Sequence, residues 1–79
     1  MQRYNTKQRQ FEETREKYSR LMGEYNEALS KKYQIGYQGG QTQDQERRLR
    51  ELERKMEETQ RELQGQENEL RALIEEMRH

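Results

Sequence analysis

The side chains able to do chemistry in this chain are few in kind, and their spacing limits what they could do. Glu12-Glu13, Glu57-Glu58 and Glu75-Glu76 are adjacent carboxylates that could in principle bind a metal or move protons. Such work needs a concave, apolar pocket around the carboxyl, and exposed Glu at helical spacing is ordinarily a solvated face. The single histidine is His79, at the chain end, where no constellation can form around it. No Glu-x-x-His pair of the kind used by di-metal helical bundles occurs. There is no cysteine, hence no disulfide, thiolate nucleophile or cysteine-based zinc site. Gly36-Tyr37-Gln38-Gly39-Gly40 is not followed by Lys-Ser/Thr, so it reads as a turn rather than a phosphate-binding loop. The expectation is a protein that is not an enzyme and that carries no metal or cofactor.

A second chemistry is phosphate contact. Arg47, Arg48, Arg50, Arg54 and Lys55 cluster just before a run of leucine heptads, and a basic helix leading into a zipper is a DNA-binding layout. Glu46, Glu51 and Glu53 interrupt the cluster, and sixteen basic residues balance sixteen acidic ones over the whole chain. The cluster therefore reads first as the solvated flank of a helix, with nucleic acid as the alternative partner.

The elements that would position these groups are helical. Ten residues are Leu, Ile, Val or Phe, too few for a conventional globular core, and valine, tryptophan and proline are absent. Ala, Glu, Lys, Leu and Arg supply forty residues, about half the chain, the composition of a coiled coil once a heptad accompanies it. That heptad is present. Leu49, Leu52, Met56, Thr59, Leu63, Gln66, Leu70, Leu73 and Met77 alternate three and four apart without a slip. In the first half Tyr4, Phe11, Tyr18 and Tyr25 recur every seven residues, with Lys7, Thr14, Leu21, Ala28 and Ile35 as the companion column. Met22 and Leu29, with Tyr33 beyond them, widen that stripe toward a second neighbour.

The two seams are out of phase by three residues across the glycine segment, so one continuous rod would need a stammer there. Folding the chain back removes the problem. Pairing residues whose numbers sum to 77 sets Tyr4 level with Leu73, Phe11 with Gln66, Tyr18 with Thr59, Leu21 with Met56, Tyr25 with Leu52 and Ala28 with Leu49. On the flank the same register opposes Arg3 to Glu76, Lys17 to Glu62 and Glu24 to Lys55, while Lys31 and Arg48 repel. The predicted fold is all-α: one unit, 1–79, an antiparallel two-helix coiled-coil hairpin with helix 3–35, a Gly-rich loop 36–41 hinged at Gly36, Gly39 and Gly40, and helix 42–78. A long parallel coiled-coil rod broken near 36–41 is the alternative.

Tyr4, Phe11, Tyr18, Leu21, Tyr25, Ala28, Ile35, Leu49, Leu52, Met56, Leu63, Leu70, Leu73 and Met77 are the expected core. Met22, Leu29 and Tyr33 are the expected partner surface, and Tyr37 is read as a surface tyrosine of the loop. So small a core is marginal alone. The expected function is accordingly a protein–protein interaction module, a scaffold or adaptor that pairs with itself as a homodimer or four-helix bundle, or with another coiled-coil protein. An excised segment of a longer cytoskeletal or tethering rod would look similar. Gln66 in its leucine seam resembles the polar central layer of the membrane-fusion helices called SNAREs, which run many more unbroken layers than the nine seam positions here; a polar residue fixing register is the preferred account. No apolar run approaches the ~20 residues of a membrane span, and MQRYNTKQRQ lacks the hydrophobic segment of a secretory signal, so no membrane insertion and an intracellular, cytoplasmic location are expected.

Overall fold

Without proline, and with only six β-branched residues (four Thr, two Ile), little in the chain resists helix formation. The computed structural model describes residues 2–78. It contains α1, Gln2–Tyr37, and α2, Gln43–Arg78, each of 36 residues and packed side by side as an all-α hairpin. The chain folds back at the glycines, and the continuous rod is not formed. The hairpin measures 63 × 14 × 13 Å, its long edge set by one helix at ~1.5 Å per residue, about 54 Å, plus the turn.

The turn lies later than the glycine composition suggests. Helix α1 continues through Gly36 and Tyr37, and the break runs over residues 38–42 rather than 36–41. The reason is where the backbone changes hand. Among the described residues only Gly39 has positive φ, 78°. Around it, Gly40 N–H donates to Ile35 O at 2.9 Å and Gly39 N–H to Gly36 O at 3.1 Å, meeting carbonyls that the end of α1 would leave unpaired. Gly36 is thus a helical residue within the cap. Gly40 is needed for a different reason: a Cβ there would stand 2.8 Å from Ile35 Cγ2. Helix α2 then begins after Thr42, whose carbonyl accepts from Glu46 N–H at 2.9 Å and whose hydroxyl donates to the Glu46 carboxylate at 3.2 Å. Asp44 and Glu46 in the first turn suit the positive end of the helix dipole.

Burial follows a three-four rhythm. Thr14, Leu21 and Ala28 of α1 and Leu49, Leu52, Thr59 and Leu73 of α2 are buried, while Tyr4, Phe11, Tyr18 and Tyr25 are half-buried. The tightest packing is near the turn, where Leu21, Ala28, Leu49 and Leu52 form one cluster covered by Tyr25, Leu29 and Met56. Leu52 is completely enclosed. The two buried threonines turn their hydroxyls onto their own helices, Thr14 to Gln10 O at 2.9 Å and Thr59 to Lys55 O at 2.7 Å, so no hydroxyl is stranded in the seam. Away from the turn the seam loosens: Leu63 and Leu70 are half-buried. Met77, expected in the core, is exposed, because in this register no α1 residue stands level with it.

Charge pairs decorate the rod. Lys31, Lys55, Arg61 and Arg71 each reach a glutamate four residues earlier, and Arg78 one three earlier. This order, acid before base, is the one the helix dipole favours. Among the described residues three pairs cross between helices: Lys7–Glu69 at 2.8 Å, Lys32–Glu46 at 3.8 Å and Glu24–Arg48 at 3.8 Å. They differ from the flank pairs expected from the sequence. Glu24 takes Arg48 instead of Lys55, and Lys31 turns to Glu27, which separates the Lys31–Arg48 repulsion. Most of their members are solvent-exposed, with Lys7, Lys32 and Glu67 half-buried, and such pairs are worth about 0.2–1 kcal/mol each, enough to bias orientation but not to hold the fold.

Candidate protein interaction surface

Depressions on this hairpin are open grooves between side chains. One of them, of about 670 Å³, is bounded by Glu12, Arg15, Glu16, Ser19 and Arg20 on the outside of α1, all of them exposed. Among the described residues no three His, Cys, Asp or Glu side chains gather as metal ligands, and no helix is long and apolar enough to cross a membrane. His79 lies outside the described residues.

The basic cluster at the start of α2 is divided by the fold. Arg48 leans across to Glu24, and Lys55 pairs with Glu51 at 3.5 Å. Arg47, Arg50 and Arg54 stand exposed, without an ion pair among the described residues. They are three and four apart on the helix, so three guanidinium groups, rather than five cations, share its outer side.

Exposed apolar surface is concentrated elsewhere. Among the described residues the large hydrophobic side chains left in solvent are Met22, Tyr33, Tyr37 and Met77, and three of the four fall on one side of α1. On that side Ser19, Met22, Gly23, Asn26, Leu29, Ser30, Tyr33, Gly36 and Tyr37 follow at three- and four-residue steps. None is charged, in a chain whose residues are 41% charged. Tyr33 is 61% and Tyr37 95% exposed, with Gly36 between them. These three, with Lys32 and Thr42, border a shallow hollow of about 430 Å³. A Cβ at Gly23 or Gly36 would meet nothing within 4 Å, so nothing inside the hairpin requires those glycines.

The structure divides the three residues expected to form the partner surface. Met22 and Tyr33 are exposed on this face, while Leu29 is half-buried and packs against the hairpin's own cluster. Leu29 is therefore chiefly a core residue that borders the face. Tyr37 is the residue the sequence reading set apart from it. Its spacing of four from Tyr33 was the available signal, but helical spacing has meaning only once α1 is known to run through Gly36.

Beside the face, the Tyr25 hydroxyl donates to Glu53 Oε1 at 3.0 Å, tying α1 to α2. That hydrogen bond, with desolvation and the charge of Glu53, raises the tyrosine pKa above its ordinary value. One group in the seam is less well served: Gln66 Oε1 is buried and has no hydrogen-bond partner. No known protein family, curated protein or solved structure matches this chain.

Proposed function

We propose that this chain is a helical-hairpin interaction module of the coiled-coil type, serving as a scaffold or adaptor by laying one side of α1 against other helices. The supporting observation is the uncharged side of α1 from Ser19 to Tyr37, with Met22, Tyr33 and Tyr37 in solvent. Exposed aromatic and methionine side chains on a helix, set among small residues, are the anchors that helix–helix recognition uses. The small core supports the same reading. Five buried apolar residues among those described are a modest number for two 36-residue helices, and further apolar burial at ~25 cal/mol per Å² would add directly to stability.

The test uses the hairpin as bait against a displayed library of amphipathic helices, in parallel with the variant Met22→Glu plus Tyr33→Glu. Both side chains are exposed, so the variant should keep its helicity by circular dichroism. Wild-type hairpin should enrich helices that the variant loses by at least tenfold. Equal enrichment on the two baits would remove the face from the argument and the reading with it.

A further inference from the structure

We infer that the turn between the helices is a latch made by Gly39 and Gly40, and that opening it converts two hairpins into one antiparallel rod of two chains. Each α1 then lies on the other chain's α2, in the register the hairpin already has. The pairs that join the helices are placed evenly about the turn: Lys7–Glu69, Tyr25–Glu53 and Lys32–Glu46 are each centred, by number, on residue 38 or 39. A two-fold axis between two opened chains at that point restores every such pair, now between copies. Leu21, Ala28, Leu49 and Leu52 again form one cluster. Exchange of an identical element at unchanged contacts is the condition for swapping. Only the turn then distinguishes the two states, and since residues 38–41 are exposed, it buries little that the rod would lose.

What holds the chain closed is local to two positions. Gly39 has φ of 78°, a conformation that a continuous helix does not use. A Cβ at Gly40 would stand 2.8 Å from Ile35 Cγ2, and the Gly40 N–H closes the cap on Ile35 O at 2.9 Å. Alanine at either position strains the closed turn and, as the better helix former, favours continuation from α1 into α2. Glycine does the reverse. The three-residue slip in phase also favours closure, because the rod must take it up as a stammer. Two elements on a short linker meet at an effective concentration in the millimolar range, so the wild-type chain is a hairpin at micromolar concentration. Each alanine acts on two turns per dimer. At about tenfold per turn, it raises association about a hundredfold.

Gly39→Ala plus Gly40→Ala should be a dimer at micromolar concentration by size-exclusion scattering, where the wild type is a monomer. Its maximum dimension should be roughly 110–120 Å, at ~1.5 Å per residue through both helices and the former turn, against 63 Å for the hairpin. The chain has no cysteine, which lets introduced disulfides report the exchange. In the double-alanine background, chains carrying Ala28→Cys, refolded together with chains carrying Leu49→Cys, should join under mild oxidation. With both glycines in place the same mixture should not. Two further variants separate the latch from a general gain in helix. Gly36→Ala, within α1 and with nothing within 4 Å of its Cβ, should stay monomeric. So should Gly39→Asn, because asparagine tolerates the left-handed backbone. A double-alanine variant that is monomeric at every concentration, that unfolds outright, or that dimerises without lengthening or without the mixed disulfide would overturn the inference. A rod-length dimer of Gly36→Ala would overturn it too. The seam is the same in both states and leaves the uncharged side of α1 outward, so the helix-capture test above stands or falls independently.

Discussion

At the residue scale the seam carries one conspicuous cost. Gln66 sits level with Phe11, and its buried Oε1 has no partner, a condition that costs roughly 1–3 kcal/mol in proteins. Leucine in its place would present no acceptor and would continue the column of Leu63, Leu70 and Leu73. Gln66→Leu is therefore expected to raise the free energy of unfolding by about 1–3 kcal/mol, measured by urea denaturation followed by circular dichroism. Loss of stability would mean that the amide makes a contact worth more than its desolvation. A polar residue in such a place is best understood as restricting register and partner. The same variant should then form mixed or higher oligomers more readily than the wild type. Thr14 and Thr59 show the contrast: they are as deep in the seam, but their hydroxyls find carbonyls of the preceding turn.

At the scale of the elements, the hairpin was legible in the sequence because two incompatible heptad phases flank a glycine segment, and only a turn reconciles them. The end of α1 was not legible, because Gly36, Gly39 and Gly40 look alike as letters. Backbone geometry separates them. Gly39 supplies a positive φ, Gly40 avoids Ile35, and Gly36 is an ordinary helical residue with open space about its Cα. The consequence is a pair of opposite effects. Gly39→Ala should destabilise the hairpin by about 1 kcal/mol, since a Cβ opposes the left-handed conformation. Gly65→Ala, within α2 and with nothing within 4 Å, should stabilise it by roughly 0.5–1 kcal/mol. Thermal unfolding of the two variants beside the wild type checks both signs, and equal shifts would contradict the cap described at Gly39. Tyr37 was misplaced for the same reason as Gly36: assigned to a loop, it had no face to belong to. Met77 kept its place in the column by number, but α1 offers it no neighbour, a fact that depends on register and not on periodicity.

At the scale of the whole molecule, folding rearranges the charge. Residues 1–40 carry a net +3 and residues 41–79 a net −3, which an extended rod would display end to end. The hairpin lays these halves side by side across a body only 14 × 13 Å in section. That width is close to the Debye length of ~8–10 Å in physiological salt, so a distant polyanion meets a nearly neutral rod. This bears on the alternative of nucleic-acid binding. Were all five clustered cations to contact phosphate, the logarithm of affinity would fall with that of salt at about −4.5, at ~0.9 per contact. With Arg48 and Lys55 held by glutamates, the three free arginines permit about −2.7 at most. Titration of labelled duplex DNA with the hairpin should show no saturable binding at physiological salt and, in dilute buffer, a slope no steeper than that. A slope near −4.5 would mean that DNA displaces Glu24 and Glu51 from their partners. The outer side of α2, rather than the uncharged side of α1, would then be the surface on which this molecule works.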